Sequence, residues 1–247
     1  VLDAAAFKVS AANFKIRDVT LRRCRWHLIQ IAGESDADGA LIQRCAFRDS
    51  YEQLFKVTVD PAKPGVTADH GRVEGCLFEY SAGIGPQYYI GGIDAHGAKG
   101  WVIQGNTFRD IISPSGSVAE HAVHFWNGTS GNVVERNLII NCDRGVGFGL
   151  DGKGNTGGII RNNMIYHAAG KGSFADVGIS LTESPDTQVY NNTVYQEHAF
   201  PWAIEYRFAA SKNVLIVNNL TNKPIQARDG ATGTVAKNVS NAAATWF

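Results

Sequence analysis

Apolar positions recur along this chain in one short template, apolar-x-x-(Asn or small)-x-apolar. It is seen at Ile16/Val19/Leu21, Ile42/Cys45/Phe47, Val73/Cys76/Phe78 and Ile103/Asn106/Phe108. It continues at Val134/Asn137/Ile139, Ile160/Asn163/Ile165, Val189/Asn192/Val194 and Leu215/Asn218/Leu220, and fades at Val235/Asn238/Ser240. Successive copies lie about 20–31 residues apart, the spacing of one-turn units that bury a core only by stacking. A second segment follows most copies and alternates with the period of a half-buried strand. Examples are Phe55-Lys56-Val57, Ile93-Asp94-Ala95-His96, Val123-His124-Phe125-Trp126, Val146-Gly147-Phe148-Gly149, Ile179-Ser180-Leu181-Thr182, Ile204-Glu205-Tyr206-Arg207 and Ile225-Gln226-Ala227-Arg228. The pattern predicts an all-β solenoid of about eight to nine turns in which the Asn residues stack into a hydrogen-bonded column. Cys45 and Cys76 fall in that column and are expected as stacked thiols rather than a disulfide.

Composition narrows the picture. With 27 Gly, 7 Pro and 1 Met in 247 residues, the chain suits short strands and turns better than helices. A net charge of zero gives no general attraction to nucleic acid, and no apolar run approaches the ~18 residues of a membrane span. The four Cys have no zinc-type spacing and are expected to be buried and structural. One domain over residues 1–247 is expected, with 1–12 a partial first turn and 242–247, through Trp246, a cap. The partial turn and the start at Val1 suggest a piece of a larger chain, and an extracellular or periplasmic location is expected. Gly/Pro/Ser-rich stretches at Val59 to Gly71, Ser81 to Tyr89, Ile112 to Ala119 and Asp151 to Gly158 read as loops bordering a groove.

Steps such as Ile160-Ile-Arg-Asn-Asn163-Met-Ile165 and Val189-Tyr-Asn-Asn192-Thr-Val194 resemble the right-handed parallel β-helix repeats of the pectate-lyase-like superfamily. The resemblance runs from about Phe14 to Asn241. It implies a single-stranded right-handed parallel β-helix, a fold that carries lyases, hydrolases, epimerases, phage spikes and adhesins.

In such a coil the outward residues of stacked strands form ladders about 4.8 Å apart per turn. One ladder reads Gln30, Lys56, Asp94, His124, Gly147, Ser180, Glu205, Gln226. Its neighbour reads Ala32, Thr58, His96, Trp126, Gly149, Thr182, Arg207, Arg228. Lys56, Asp94, His96 and His124 are the catalytic candidates, with Asp94 expected to orient His124 and Lys56 or His124 to act as base. Trp126 is expected to support a sugar ring, and Gly147 with Gly149 to leave a flat gap for it. Arg144, Arg207 and Arg228 are candidates to grip a carboxylate, and His121, Ser180 and Glu205 complete the expected substrate contacts. Exposed charge pairing is the competing reading for Glu205, Arg207 and Arg228.

Asp94 and Glu205 lie four turns apart, about 19 Å, too far for a glycosidase pair. A partner carboxylate from Glu120, Asp143, Asp151 or Glu183 would be needed for hydrolysis. Abstraction of a proton beside a uronate carboxylate followed by β-elimination fits the types present, with Tyr88 or Tyr89 as a further proton-transfer group. Gly92-Ile93-Asp94-Ala95-His96 followed by His121-Ala-Val-His124 resembles the Asp-Pro-His segment of mannuronan C5-epimerases, which implies active-centre roles for Asp94 and His96. Ala95 replaces the Pro, Gly97 the usual acidic residue and Gly91 the Tyr. The leading expectation is a lyase on a uronic-acid polysaccharide, with no nucleic-acid partner. The alternatives are an epimerase or hydrolase on this fold, or a non-catalytic glycan-binding or structural coil. No cofactor or metal is expected. Glu34 with Asp36-Ala-Asp38-Gly39 has calcium-type oxygens without the full loop pattern, and reads as an acidic surface turn.

Overall fold

The six-residue template is divided between two strands by a sharp corner. In the computed structural model, which describes residues 4–150 and 152–247, the residue before each column position adopts left-handed φ. Examples are Gly105 (65°) before Asn106, Arg136 (54°) before Asn137, Asn162 (56°) before Asn163 and Asn191 (57°) before Asn192. That conformation is disfavoured for residues with a Cβ, and Gly and Asn carry it most cheaply. Each full turn therefore has three short strands, one more than the template and its following segment suggest.

The strands stack into two nine-stranded sheets and one eight-stranded sheet, each ordered by sequence. The site sheet comprises Phe7–Val9, Ile29–Ala32, Phe55–Thr58, Ile93–His96, His121–Trp126, Arg144–Phe148, Ile179–Thr182, Ile204–Arg207 and Ile225–Arg228. The second sheet runs from Lys15–Arg17 to Gly233–Ala236, and the third from Thr20–Arg22 to Leu220–Thr221. Pairing is parallel throughout these sheets, so the chain is the expected parallel β-helix. Helical structure among the described residues is confined to two 3-10 turns, Gly33–Ser35 and Ala244–Trp246. No helix among them is long and apolar enough to cross a membrane.

Inside the coil, identical positions stack. Phe47, Phe78 and Phe108 lie ring on ring at 4.7 and 4.8 Å. The Asn column runs beside them. Asn137 Nδ2 donates to Ile103 O (2.9 Å) and to Asn163 Oδ1 (3.0 Å), and its backbone N–H donates to the same Oδ1 (3.0 Å). Asn106, Asn163, Asn192 and Asn219 repeat the arrangement. Cys76 and Cys45 continue it on the N-terminal side, Cys76 N–H donating to Asn106 Oδ1 (2.8 Å) and Cys45 N–H reaching Cys76 Sγ (3.3 Å); all four Cys are free and buried. One repeat is out of register with the sequence expectation. Val214 and Ile216 are the buried residues of Val214–Val217, and Asn219 rather than Asn218 enters the column. Asn218 takes the left-handed corner (56°), the role Asn162 and Asn191 play in the earlier Asn-Asn pairs.

At the C-terminal end, Phe247 rather than Trp246 does the packing. Its ring lies 4.7 Å from Tyr195, whereas Trp246 is 63% exposed. The loops after Thr58 and Phe148 leave one side of the site sheet, and those before Ile93 and His121 enter from the other. Residues 1–3 and Asp151, which include part of the expected first turn and one candidate loop carboxylate, lie outside the described residues.

The column is the element whose loss is most costly. Asn163→Ala deletes both side-chain donations and leaves the buried Asn137 N–H without an acceptor, so a loss of about 3 kcal/mol is expected in denaturant unfolding. The exposed Lys15→Ala change should stay within ~0.5 kcal/mol.

Candidate functional site

The two outward ladders stack in the expected register. Lys56 pairs with Asp94, Asp94 with His124, His124 with Gly147, and His96 with Trp126. What differs is their cover. Lys56, Asp94, His124, Ser180 and Glu205 are all buried, His124 completely. Alternation along a strand tells which face a residue leaves by, and here neighbouring side chains and loops close over that face.

Asp94 is the hub. Its Oδ2 accepts from the Lys56 ammonium, and its Oδ1 accepts from Trp126 Nε1 at 2.7 Å. Burial is the largest influence and opposes the Asp94 charge, but the Lys56 cation together with His96 and His124 outweighs it. Its carboxyl is held well below the usual range. Lys56 responds reciprocally: burial works against its charge, and Asp94 with Tyr89 raises its pKa regardless. A fully paired buried ammonium does not serve as a resting base, which removes Lys56 from that expected role. Lys56 Nζ also lies 3.2 Å from His96 Nε2. An ammonium can only donate, so His96 Nε2 accepts and its proton resides on Nδ1.

Asp94 does not orient His124 as expected. The Asp94 Oδ1 to His124 Nδ1 separation is 3.9 Å, whereas Glu120 Oε2 is 3.3 Å from that nitrogen. The carboxylate facing His124 thus comes from the residue just before its own strand. Burial pushes Glu120 upward, but His124 more than compensates and its pKa is lowered. His124 Nε2 sits 3.3 Å from Gly149 O.

Trp126 is not a bare plate. Its ring is parallel to His124 (5.5 Å, 7°), edge-on to His96 (4.4 Å), and within 5.3 Å of the Lys153 ammonium. It covers His124 and anchors Asp94, so His124 cannot touch a polymer as the expected base. The double-glycine gap is also filled. A Cβ on Gly147 would stand 2.4 Å from His121 Nε2, and one on Gly149 would stand 1.7 Å from Thr182 O. The His121 ring occupies the expected space for a sugar. His121 stands at the corner where the chain enters the sheet, outside strict alternation, and its Nε2 is 3.0 Å from Ser180 Oγ. Burial, with His124 and Arg144 nearby, holds its pKa well below the ordinary imidazole value.

The arginines expected to grip a substrate carboxylate are engaged by carboxylates of the chain itself. Arg228 pairs with Glu205 at 2.8 Å, Arg207 with Asp229 at 2.8 Å, and Arg144 with Asp176 at 3.1 Å. Glu205 lies three turns from His124, about 14 Å along the stack, so this group is separate from the cluster. The calcium-type oxygens do not converge. Glu34 accepts from Thr58 Oγ1 and Asp38 Oδ1 from Asp69 N–H. Among the described residues, the convergent group of three ligand-type side chains is Glu120, His121 and His124.

At the surface of the cluster stand His96, with 19% of its side chain exposed, and the loop residue Tyr89, whose ring lies 5.9 Å from Lys56 Nζ. A cleft lined by Val59, Lys63, Thr67, Gly97, Lys99 and Asn127 begins at the residue after His96.

The family model for the right-handed β-helix region matches residues 5–243. The chain belongs to that family. No curated protein matches it in sequence. Among solved structures, it is similar to the surface adhesin PfbA of Streptococcus pneumoniae, with a TM-score of 0.50 and 11% identity over 94% of this chain and 62% of that one. It is also similar to the periplasmic alginate epimerase AlgG, with a TM-score of 0.52 and 15% identity over 90% of this chain and 64% of that one. This chain therefore spans less than two thirds of the length of either neighbour, and at these identities the likeness is one of fold.

Burial of neutral imidazoles has a consequence for stability. Burial pushes His27 down to about 4, and burial with the Lys223 cation pushes His198 down to about 3. Unfolded, both take a proton near 6.5, so below that pH the unfolded chain binds more protons and stability falls with pH. Asp143, raised by burial to about 6, runs the other way, because the folded chain takes that proton first. With His121 shifted in the same direction as His27 and His198, the histidines outnumber it. The urea midpoint is expected to fall steadily as pH is lowered from about 6.5 to about 4.5.

Proposed function

We propose that this protein acts on a uronic-acid-containing polysaccharide by abstracting the proton beside the carboxylate and eliminating the glycosidic oxygen. The observation that carries the reading is the buried Lys56–Asp94 ion pair set directly beneath a partly exposed His96 and the loop residue Tyr89. A desolvated pair is expensive, and perturbed titratable groups concentrate at functional sites. In this mechanism the Lys56 cation stabilises negative charge arriving above it, on the Tyr89 phenol and on the sugar carboxylate. Tyr89, reacting as the phenolate, takes the C5 proton as the C4–C5 double bond forms and the C4–O bond breaks. The His96 Nδ1–H passes to the leaving oxygen while the Lys56 ammonium replaces that proton at Nε2, and the Tyr89 proton returns to Lys56 through solvent. Asp94 holds Lys56 in place, and Trp126 holds Asp94. Lys63 and Lys99 in the cleft, with Lys153 over the Trp126 ring, add the positive field an anionic polymer needs.

Hydrolysis is less well supported. It needs one carboxyl kept protonated. Asp94 and Glu120 are both held below the usual range, and Asp143, the raised one, has its Oδ2 tied to the N–H groups of Ser113 and Ala119. Epimerisation shares the abstraction step, and AlgG, an alginate epimerase, has the same coil. An extracellular or periplasmic setting accords with such a substrate. A non-catalytic glycan-binding coil is the second reading, favoured by the burial of His124 beneath Trp126.

Incubation with alginate, pectate and glycosaminoglycans should raise ultraviolet absorbance from unsaturated products on one of them. Tyr89→Phe and His96→Gln should each lower kcat by about 100-fold or more with the fold intact. Inversion at C5 without absorbance would give an epimerase. Reducing ends from neutral glycans without unsaturation would sink the proposal, as would binding with no turnover on any uronate.

A further inference from the structure

Three buried side-chain atoms beside the proposed proton-transfer groups have no hydrogen-bond partner: Glu120 Oε2, His121 Nδ1 and His124 Nδ1. They face one another. Oε2 is 3.3 Å from His124 Nδ1 and 3.9 Å from His121 Nδ1, and one donor atom from each of the three residues lies within 4.8 Å of the others. Two donors bound at about 2.0–2.1 Å to a tetrahedral ion stand about 3.3 Å apart, so small adjustments would bring these three to coordination distance.

The opposite edge of each ring shows why the inner nitrogens point inward. His124 Nε2 meets a carbonyl, Gly149 O, which can only accept, so that nitrogen carries the proton. With that one proton alone, the ring turns its Nδ1 lone pair toward the Glu120 carboxylate; with a second, it is an imidazolium paired to Glu120. Two acceptors at 3.3 Å repel unless a cation lies between them. His121 is oriented in the same manner by Ser180 Oγ on its Nε2, and its ring has room only because residue 147 is glycine. Rings held through the outer nitrogen by a carbonyl or hydroxyl, with the inner nitrogen free, are the usual support of metal-bound histidines. Trp126 stacks on His124 and fixes its plane. Glu120, with 22% of its side chain exposed, gives the path inward from solvent.

We propose that Glu120, His121 and His124 bind a divalent first-row transition ion of the zinc class. Two imidazoles and one carboxylate suit zinc and its neighbours, and a site with so few oxygens does not suit calcium or magnesium. Strand alternation conceals this group, because positions 120, 121 and 124 of a regular strand would not share one face. This proposal is independent of the elimination reading, since metal binding is measured without substrate and elimination invokes none of the three residues.

The test uses the whole chain, treated with chelator, dialysed and titrated with zinc chloride by calorimetry, with calcium chloride as comparison. One zinc per chain is expected, with a raised melting temperature and no response to calcium. Cobalt in place of zinc should give visible d–d absorption of the intensity typical of a four-coordinate site. Glu120→Gln, close to isosteric, should weaken zinc binding at least about tenfold, and Ser180→Ala, which frees the outer nitrogen of His121, should weaken it by about tenfold. Circular dichroism of both variants should match the parent. Absence of stoichiometric zinc binding by the parent chain would overturn the proposal. Undiminished binding in folded Glu120→Gln would assign the metal to other histidines and overturn it equally. A doubly protonated His124 ring seen by nitrogen NMR near neutral pH, unchanged by added zinc, would identify an imidazolium–carboxylate pair instead.

Discussion

Everything in this molecule depends on the vertical hydrogen bond from one turn to the next. Because strands stack at about 4.8 Å, residues in equivalent positions are forced into contact whatever their chemistry. The Asn column shows the constraint satisfied internally: each amide bonds its neighbour and a backbone carbonyl, so a polar group is carried through an apolar interior without an unpaired atom. The Phe47, Phe78 and Phe108 stack is the apolar counterpart. On the outer face the same pitch places a cation, an anion and an imidazole on consecutive turns, and these have to solve a charge problem rather than a packing one.

That charge problem is solved by closure. Lys56 and Asp94 neutralise one another, Trp126 closes over the carboxylate with a hydrogen bond and over His124 with its ring, and His121 folds into the space left by Gly147. Water is thereby excluded from the middle of the column, which strengthens each electrostatic contact that remains. His96 and Tyr89 stay accessible at the edge, as do parts of Trp126 and Glu120.

Fold and ladder register were legible in the sequence because both follow from periodicity. Lys56, Asp94 and His124 could be placed on adjacent turns by counting, and the pairing agrees. The Asn218/Asn219 slip shows the limit: two adjacent Asn residues fit the template equally, and only the corner, which needs one of them left-handed, separates their roles. The burial of His124 was not legible, since alternation is silent about what covers a face. The partnership of Glu120 with His124 was hidden for a related reason. Residues four apart point to the same side of a strand only while the strand stays regular, and Glu120 lies before it begins. Pairing of Arg228 with Glu205 was the competing reading of that group, and it holds because the two stand on neighbouring turns, offset by two residues, within reach of the long guanidinium side chain.

The contact between Gly147 and His121 couples two positions twenty-six residues apart in the chain. Any side chain at 147, even a methyl, takes the volume the imidazole uses, so the identity of one residue decides the rotamer of the other. Related coils can therefore be sorted by this pair alone. A glycine at the 147 position together with histidine at the 121 position marks chains able to turn a ring inward toward the 124 imidazole. A chain with a larger residue at 147 must send its 121 side chain elsewhere, whatever the rest of its ladder reads.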